Sequence, residues 1–215
     1  MRCPYALAFE RLLALARAVT EKPTLLRTDR LLLRPWRETD LAPWAAMNAD
    51  PEVRQHLGGV MTRDQSDASV RRFQEEFAAR GYGWWAVEVR ESGAFVGFAG
   101  LDDVDEEMPF TGVEIGWRLD RSAWGHGYAT EAALACLDFG FEQLGLDGIL
   151  ALTTVGNLRS QAVMRRIGMT RDPAEDFDDP TVPDGPLRAN VVYRISRERR
   201  RRDAARQAGQ ARRGR

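Results

Sequence analysis

The sequence predicts a mixed α/β fold: a mostly antiparallel sheet flanked by helices, with one parallel strand pair. Three observations carry this. Val113, Ile115, Trp117 and Leu119 alternate with Glu114, Gly116, Arg118 and Asp120, the two-residue period of a strand with two distinct faces. Gly125 and Gly127 then form a turn, and Ala133, Leu137, Phe141 and Leu144 follow at helical spacing, so a helix that buries one face begins behind the glycines. Upstream, residues 84–90 and 94–101 read as two strands joined through Glu91, Ser92 and Gly93, a hairpin.

The remaining elements follow in chain order. Residues 25–34 are rich in leucine and read as a first strand, and residues 39–48 as a short helix opened by Thr39 as a cap. A second helix covers residues 63–80 and is broken by Gly81, Tyr82 and Gly83. After the hairpin and an acidic loop comes the Glu114 strand. The helix over residues 129–144 joins it to a strand over residues 149–155, a connection suited to a parallel neighbour. A helix over residues 157–167 ends at Gly168, and a Pro- and Asp-rich loop leads to a last strand over residues 191–195.

A chain of 215 residues supports one sizeable core, and no linker splits it. The expected organisation is an N-terminal extension over residues 1–23, a domain over residues 24–196 and an arginine-rich tail over residues 197–215. The apolar stretch near Leu12 to Val19 is interrupted by Arg17 and is too short for a membrane span or signal peptide, so it reads as a short amphipathic helix or an extension. Cys3 and Cys136 lack metal or CxxC spacing, which suggests reduced thiols and a cytoplasmic setting. His56 and His126 are too scattered for a metal site, and no metal is implied. From Arg194 onward ten arginines face only Glu198 and Asp203, a surplus of eight, so residues 1–193 carry −9 against −1 for the whole chain. Lacking aromatics, such a tail is expected to be solvated and disordered, with ribosome or nucleic-acid contact as the functional alternative.

The glycine turn is where phosphate chemistry is expected. Residues without a Cβ let successive backbone N–H groups approach an anion, and the helix behind them adds donors and the positive end of its dipole. A glycine pair alone also marks many ordinary loops. Here it stands in an ordered set: the Glu114 strand, the run from Trp124 to Ala132, the strand over residues 149–155, then Asn157 to Ser160 running into Met164 to Met169. This set resembles the GCN5-related N-acetyltransferase (GNAT) superfamily. Residues 24–36 and Asp50 to Val53 resemble the opening of its ribosomal-protein N-terminal acetyltransferase branch, and the likeness covers residues 24–196.

The resemblance implies an acyl-CoA cleft at the parallel strand pair and acetyl-CoA as co-substrate. Carried over by position, the pyrophosphate is held by backbone N–H groups from Gly125 through His126, Gly127, Tyr128 and Ala129 to Thr130. The pantetheine arm lies along Trp117 and Leu119, and Asn157 touches the same arm, while its plain structural role is a helix N-cap. The family places Gln or Arg three residues before the first glycine; this chain has Ser122 there, with Arg121 beside it. Glu114 is the candidate general base, and Gly116 beside it is expected to leave room for substrate. Many relatives use a tyrosine to protonate the departing thiolate. That place is Met164, which cannot donate, so Ser160 one turn earlier is the candidate acid. Cys136, in an apolar helix, is not expected to act as a nucleophile.

The implied reaction is acetyl transfer to a primary amine. A protein N-terminal α-amine is the favoured acceptor, with a polyamine or aminoglycoside-like amine as the alternative. Both fit the acidic clusters at Asp102 to Glu107 and Asp172 to Asp184 if these border the cleft. A monomer or homodimer and no membrane partner are expected. A silent acyl-CoA-binding module would keep the turn and lose the chemistry, with Met164 in its favour and Glu114 against it. A dinucleotide-binding oxidoreductase is disfavoured because Thr130 occupies the third glycine position of that fingerprint.

Overall fold

The computed structural model describes residues 24–213, so the N-terminal extension with Cys3 and its short apolar stretch lies outside the described residues. Nine strands form one sheet within them: β1 (Leu26–Arg27), β2 (Leu31–Arg34), β3 (Trp84–Val89), β4 (Phe95–Asp103), β5 (Val113–Leu119), β6 (Gly148–Thr154), β7 (Thr170–Arg171), β8 (Phe177–Asp178) and β9 (Ala189–Ser196). The order across the sheet is β1-β2-β3-β4-β5-β6-β9-β7, with β8 also paired to β9. Every pairing is antiparallel except β5 with β6. The long helix after β5 accounts for that exception, because a parallel neighbour cannot be reached by a tight turn.

The helices are α1 (Leu41–Asn48), α2 (Pro51–Arg54), α3 (Arg63–Arg80), α4 (Tyr128–Glu142), α5 (Leu158–Arg166) and α6 (Arg197–Arg213). α3 spans the residues its sequence predicts. Thr62 and Gln65 cap its start reciprocally, and Gly81 at φ 75° ends it. α1 differs from expectation at its start. Residues Glu38–Asp40 form a 3₁₀ turn, and Asp40, in place of Thr39, supplies the organising carboxylate, accepting from the Arg37 N–H at 2.8 Å. α2 is a further short turn capped by Asp50, which accepts from the Glu52 N–H at 2.8 Å.

The expected first strand is divided. Thr28 bonds with Leu31 through both its side chain and its backbone, and the resulting turn separates β1 from β2 and projects Arg30 from the sheet edge. Strand alternation then sorts the core. One face carries Leu31, Leu33, Trp85, Val87, Ala99, Leu101 and Ile115 against Ala133 and Leu137 of α4. The other carries Trp84, Ala86 and Phe98 against Trp44 of α1 and Phe73 of α3. On this second face Arg34, 3% exposed, makes two parallel bonds to Asp40 at 2.7 and 2.8 Å and a third to Glu88 at 2.7 Å. Breaking a buried pair of this kind costs about 3–5 kcal/mol, because the surviving charge is left desolvated.

The tail corrects an expectation of disorder. Residues Arg197–Arg213 are helical, and the first turns dock on the domain. Arg197 donates to the Leu146 carbonyl at 2.8 Å and Arg199 to the Gly168 carbonyl at 2.7 Å, while Arg200 grips both oxygens of Asp138 at 2.7 and 2.8 Å. Composition alone misses this, because the partners are two backbone carbonyls, in the loop before β6 and just after α5, and one carboxylate distant in sequence.

Candidate active site

β5 and β6 share a single register pair, Glu114 with Leu150. Both strands run on beyond it, β5 to Leu119 and β6 to Thr154, so the sheet splits into a cleft whose β5 wall begins at Glu114. On its other edge β5 stays fully paired with β4, Asp102 opposite Glu114 and Ala99 opposite Trp117. Trp117 packs partly buried on the α4 side. The Leu119 carbonyl accepts the Trp124 indole N–H at 2.9 Å, which ties the end of β5 to the turn that follows.

Glu114 lies on the opposite face and is pushed up from 4.5 to about 7, first by burial and then by the negative charges of Asp102 and Asp105. Arg80 bonds Asp102 at 2.6 Å and offsets part of that repulsion, so burial is the dominant cause. Gly116 does not leave open space as its sequence suggests. A Cβ there would lie 2.9 Å from the Trp84 ring, so the glycine makes room for the indole, whose N–H donates to Asp102 at 2.9 Å. The strand thereby holds Asp102, and through it the charge facing Glu114.

Gly125 and Gly127 both have φ 79°, the left-handed region where a side chain is strained. α3 and α5 are capped by Thr62 and Asn157, but Gly127 at the N-cap of α4 offers no side chain. The first-turn N–H groups of Tyr128, Ala129 and Thr130 therefore have neither a side-chain cap nor an intrahelical acceptor, and they open where the dipole is positive. His126 stacks on Tyr128 at 5.4 Å and 15°, and its Nδ1 lies 2.9 Å from the Trp124 carbonyl.

Ser122 cannot replace the missing long side chain, since its hydroxyl is held by Asp120 at 2.5 Å. Arg121 turns away to Glu52 at 2.8 Å. Arg30 reaches the turn instead. It donates to the His126 carbonyl at 2.9 Å, lies 4.9 Å from the Tyr128 ring centre, and pairs with Glu131 at 2.6 Å. Sequence reasoning missed this residue because its approach depends on the break between β1 and β2.

Across the cleft, Asn157 caps α5 by accepting from the Ser160 N–H at 3.2 Å, and its amide donates to Thr153 of β6 at 2.9 Å. Ser160 is partly exposed one turn before Met164, which is buried in the core at 2% exposure. His56, from the loop after α2, lies 3.3 Å from the Thr154 hydroxyl, and burial followed by the nearby Arg159 charge lowers its pKa. Cys136 is fully buried and its thiol is driven up by burial, so it has no thiolate to offer. Of the first acidic cluster, Asp102 and Asp105 act on Glu114. The second is largely committed to arginines, Asp176 to Arg171, Asp184 to Arg188 and Glu175 to Arg194. Among the described residues there is no carboxylate, histidine and cysteine group able to hold a metal, and no helix long and apolar enough to cross a membrane.

Comparison with known proteins agrees with this geometry. The model of the acetyltransferase (GNAT) domain family matches residues 30–170. The Bacillus subtilis (strain 168) protein YkkB is 35% identical over 147 residues, 68% of this chain and 85% of its own length. A GNAT-family acetyltransferase structure from Bacillus anthracis superposes with a TM-score of 0.69 at 26% identity, covering 81% of this chain and 99% of that one. The ribosomal L7/L12 alpha-N-protein acetyltransferase, solved in complex with coenzyme A, has a TM-score of 0.65 over 80% of this chain and 98% of its own; at 15% identity it speaks to the fold alone. The split sheet, the uncapped helix and the matching family model together place the chain in the GNAT family, as an acetyl-CoA-dependent N-acetyltransferase.

Proposed function

We propose that this enzyme acetylates a primary amine, a protein N-terminal α-amine being favoured over a small-molecule amine, with Glu114 as the general base and the Gly125 to Thr130 turn as the pyrophosphate site. The observation that carries this is a carboxylate poised near 7 at the mouth of a parallel-strand split. A general base works best when its pKa is near the ambient pH, and an ordinary glutamate is too weak to take a proton from an ammonium group. Glu114 takes the amine proton, directly or through water, and the freed lone pair attacks the thioester carbonyl. A backbone N–H of β5 is assigned to the developing oxyanion, where a fixed dipole needs no reorganisation.

The departing thiolate has an ordinary pKa near 8.5 and leaves without strong assistance. Ser160 is assigned as its proton donor or as the anchor of a water that donates. Trp117 and Leu119 are assigned to the pantetheine arm, with Asn157 across from them. The α-amine assignment is supported by the likeness of residues 24–36 to the ribosomal-protein branch. CoA release measured across peptides and small amines tests it. Turnover confined to polyamines or aminoglycosides would shift the acceptor to those classes, and absence of turnover on any amine would favour a silent acyl-CoA-binding module.

A further inference from the structure

Arg118 follows Glu114 and Gly116 on the same face of β5, yet it is surrounded in a different way. Its Nη1 donates to the Asn48 side-chain oxygen at 2.8 Å, and its guanidinium carbon lies 5.1 Å from the Trp44 ring centre and 5.4 Å from that of Phe98. Its Nε is buried with no hydrogen-bond partner, and so is the amide nitrogen of Asn48 beside it. The charge that acts on it among the described residues is Arg54, whose Nε and Nη2 donate to the carbonyls of Gly59 and Leu57, both at 2.6 Å. Among the described residues neither arginine forms an ion pair.

Buried cations are ordinarily paired, because desolvation of a lone charge costs several kcal/mol. Burial, and then Arg54, lowers Arg118 to about 9, so it still carries its charge at neutral pH. Two adjacent buried donors without acceptors, in a region of unopposed positive charge, describe the protein half of an anion site. The unused Nε edge of a guanidinium presents two parallel N–H groups, matched to the two oxygens of a carboxylate. One such edge and one amide are too few donors for a phosphate dianion.

We infer that Arg118, Asn48 and Arg54 form a subsite for a carboxylate on the acceptor, so that the amine substrate is an acid as well, such as a short peptide or an ω-amino acid. This rests on the acetyl-transfer reading of Glu114 and deepens it. The two ends of this face differ in charge: Glu114, Asp102 and Asp105 gather negative charge at one, Arg118 and Arg54 positive charge at the other, with the Trp84 indole over Gly116 between them. Four residues of strand separate Glu114 from Arg118, roughly 13 Å. The ammonium of an extended zwitterion is drawn to the first end and its carboxylate to the second. A purely cationic polyamine would meet repulsion at Arg118.

Matched acceptors test this. CoA release is measured for dipeptides and ω-amino acids against their C-terminal amides. In the parent enzyme kcat/KM for the acids is expected to exceed that for the amides by about tenfold or more, mainly through KM, and the ratio is expected to collapse toward one in Arg118→Gln. A second variant, Asn48→Asp, places a carboxylate against Arg118 without changing size. It is expected to raise the melting temperature while also erasing the acid preference. Equal use of acids and amides by the parent, or a preference that survives in both variants, overturns the subsite.

If no amine is acetylated, the acetyl-transfer reading fails and the subsite is read by NMR. The Arg118 Nε–H signal, identified by its loss in Arg118→Gln, is expected to shift on titration with the same acids and to stay fixed with the amides. A signal unmoved by the acids, or moved only by inorganic phosphate, overturns the assignment.

Discussion

Glu114 is held at about 7 because it is largely desolvated and lies near the charges of Asp102 and Asp105, and both causes have kinetic consequences. With acetyl-CoA saturating, kcat/KM of the parent is expected to fall about tenfold per pH unit below 7 as the base is protonated. Glu114→Gln keeps size and loses the base, so turnover near pH 7 is expected to drop roughly 10²-fold, and the deficit to shrink at high pH as more amine is already neutral. A Glu114→Gln enzyme with the parent's turnover and pH profile would pass the role to water or another carboxylate. Stability carries the opposite sign. The folded state keeps a proton on Glu114 that the unfolded state loses above 4.5, so the parent is destabilised progressively as pH rises from 4.5 to about 7, and the penalty then stays constant. Glu114→Gln lacks this penalty, so its melting temperature is expected to gain on the parent's through that window. The candidate base was legible in the sequence as an acidic residue on an alternating strand, at the position to which the family resemblance assigns the role. The reason for its shift was not, because it depends on Asp102 lying opposite in register and on Trp84 filling the space over Gly116.

The start of α4 and the turn between β1 and β2 act as one unit. Gly127→Val is expected to weaken acetyl-CoA binding by about tenfold or more in calorimetry, because a β-branched residue at φ 79° is strained and its side chain crowds the N–H donors. Undiminished affinity would remove the turn from the binding site. Arg30→Ala is expected to weaken the same binding by a smaller factor, since the turn keeps its donors and loses only the brace from Arg30 to the His126 carbonyl. The glycine pair could be read from sequence because the residue type itself permits the conformation. Arg30 could not, since an arginine before a leucine-rich strand looks like any solvated cation until Thr28 bends the chain. A third unit, Arg34 with Asp40 and Glu88, is purely structural. Asp40→Asn is expected to lower stability by about 3 kcal/mol while leaving acetyl-CoA affinity intact.

The whole molecule is an acidic domain with a basic helix laid against it, and the two are joined by the arginines that composition assigns to a free tail. Arg197, Arg199 and Arg200 bind at Leu146 just before β6, at Gly168 just after α5 and at Asp138 within α4, so α6 braces elements that border the cleft and the glycine turn. Local pattern revealed the order of strands and helices because periodicity is a short-range property. The docking of α6 escaped it because two of the acceptors are backbone carbonyls that no residue type announces and the third is a carboxylate 62 positions away in sequence. The consequence can be measured by truncation. Removing residues 207–215 keeps all three of these bonds and is expected to leave the melting temperature close to the parent's. Removing residues 198–215 takes away Arg199 and Arg200, whose side chains are 43% and 12% exposed and whose contacts are worth about 0.5–1.5 kcal/mol each, and is expected to lower the melting temperature by roughly 3–8 °C with the fold retained. Acetyl-CoA should restore part of that loss, because binding stabilises only the folded state, whereas NAD should not. Equal melting temperatures for the two truncations would show that residues 198–206 contribute nothing to the domain, and rescue by NAD would contradict a turn built for the pyrophosphate of an acyl-CoA.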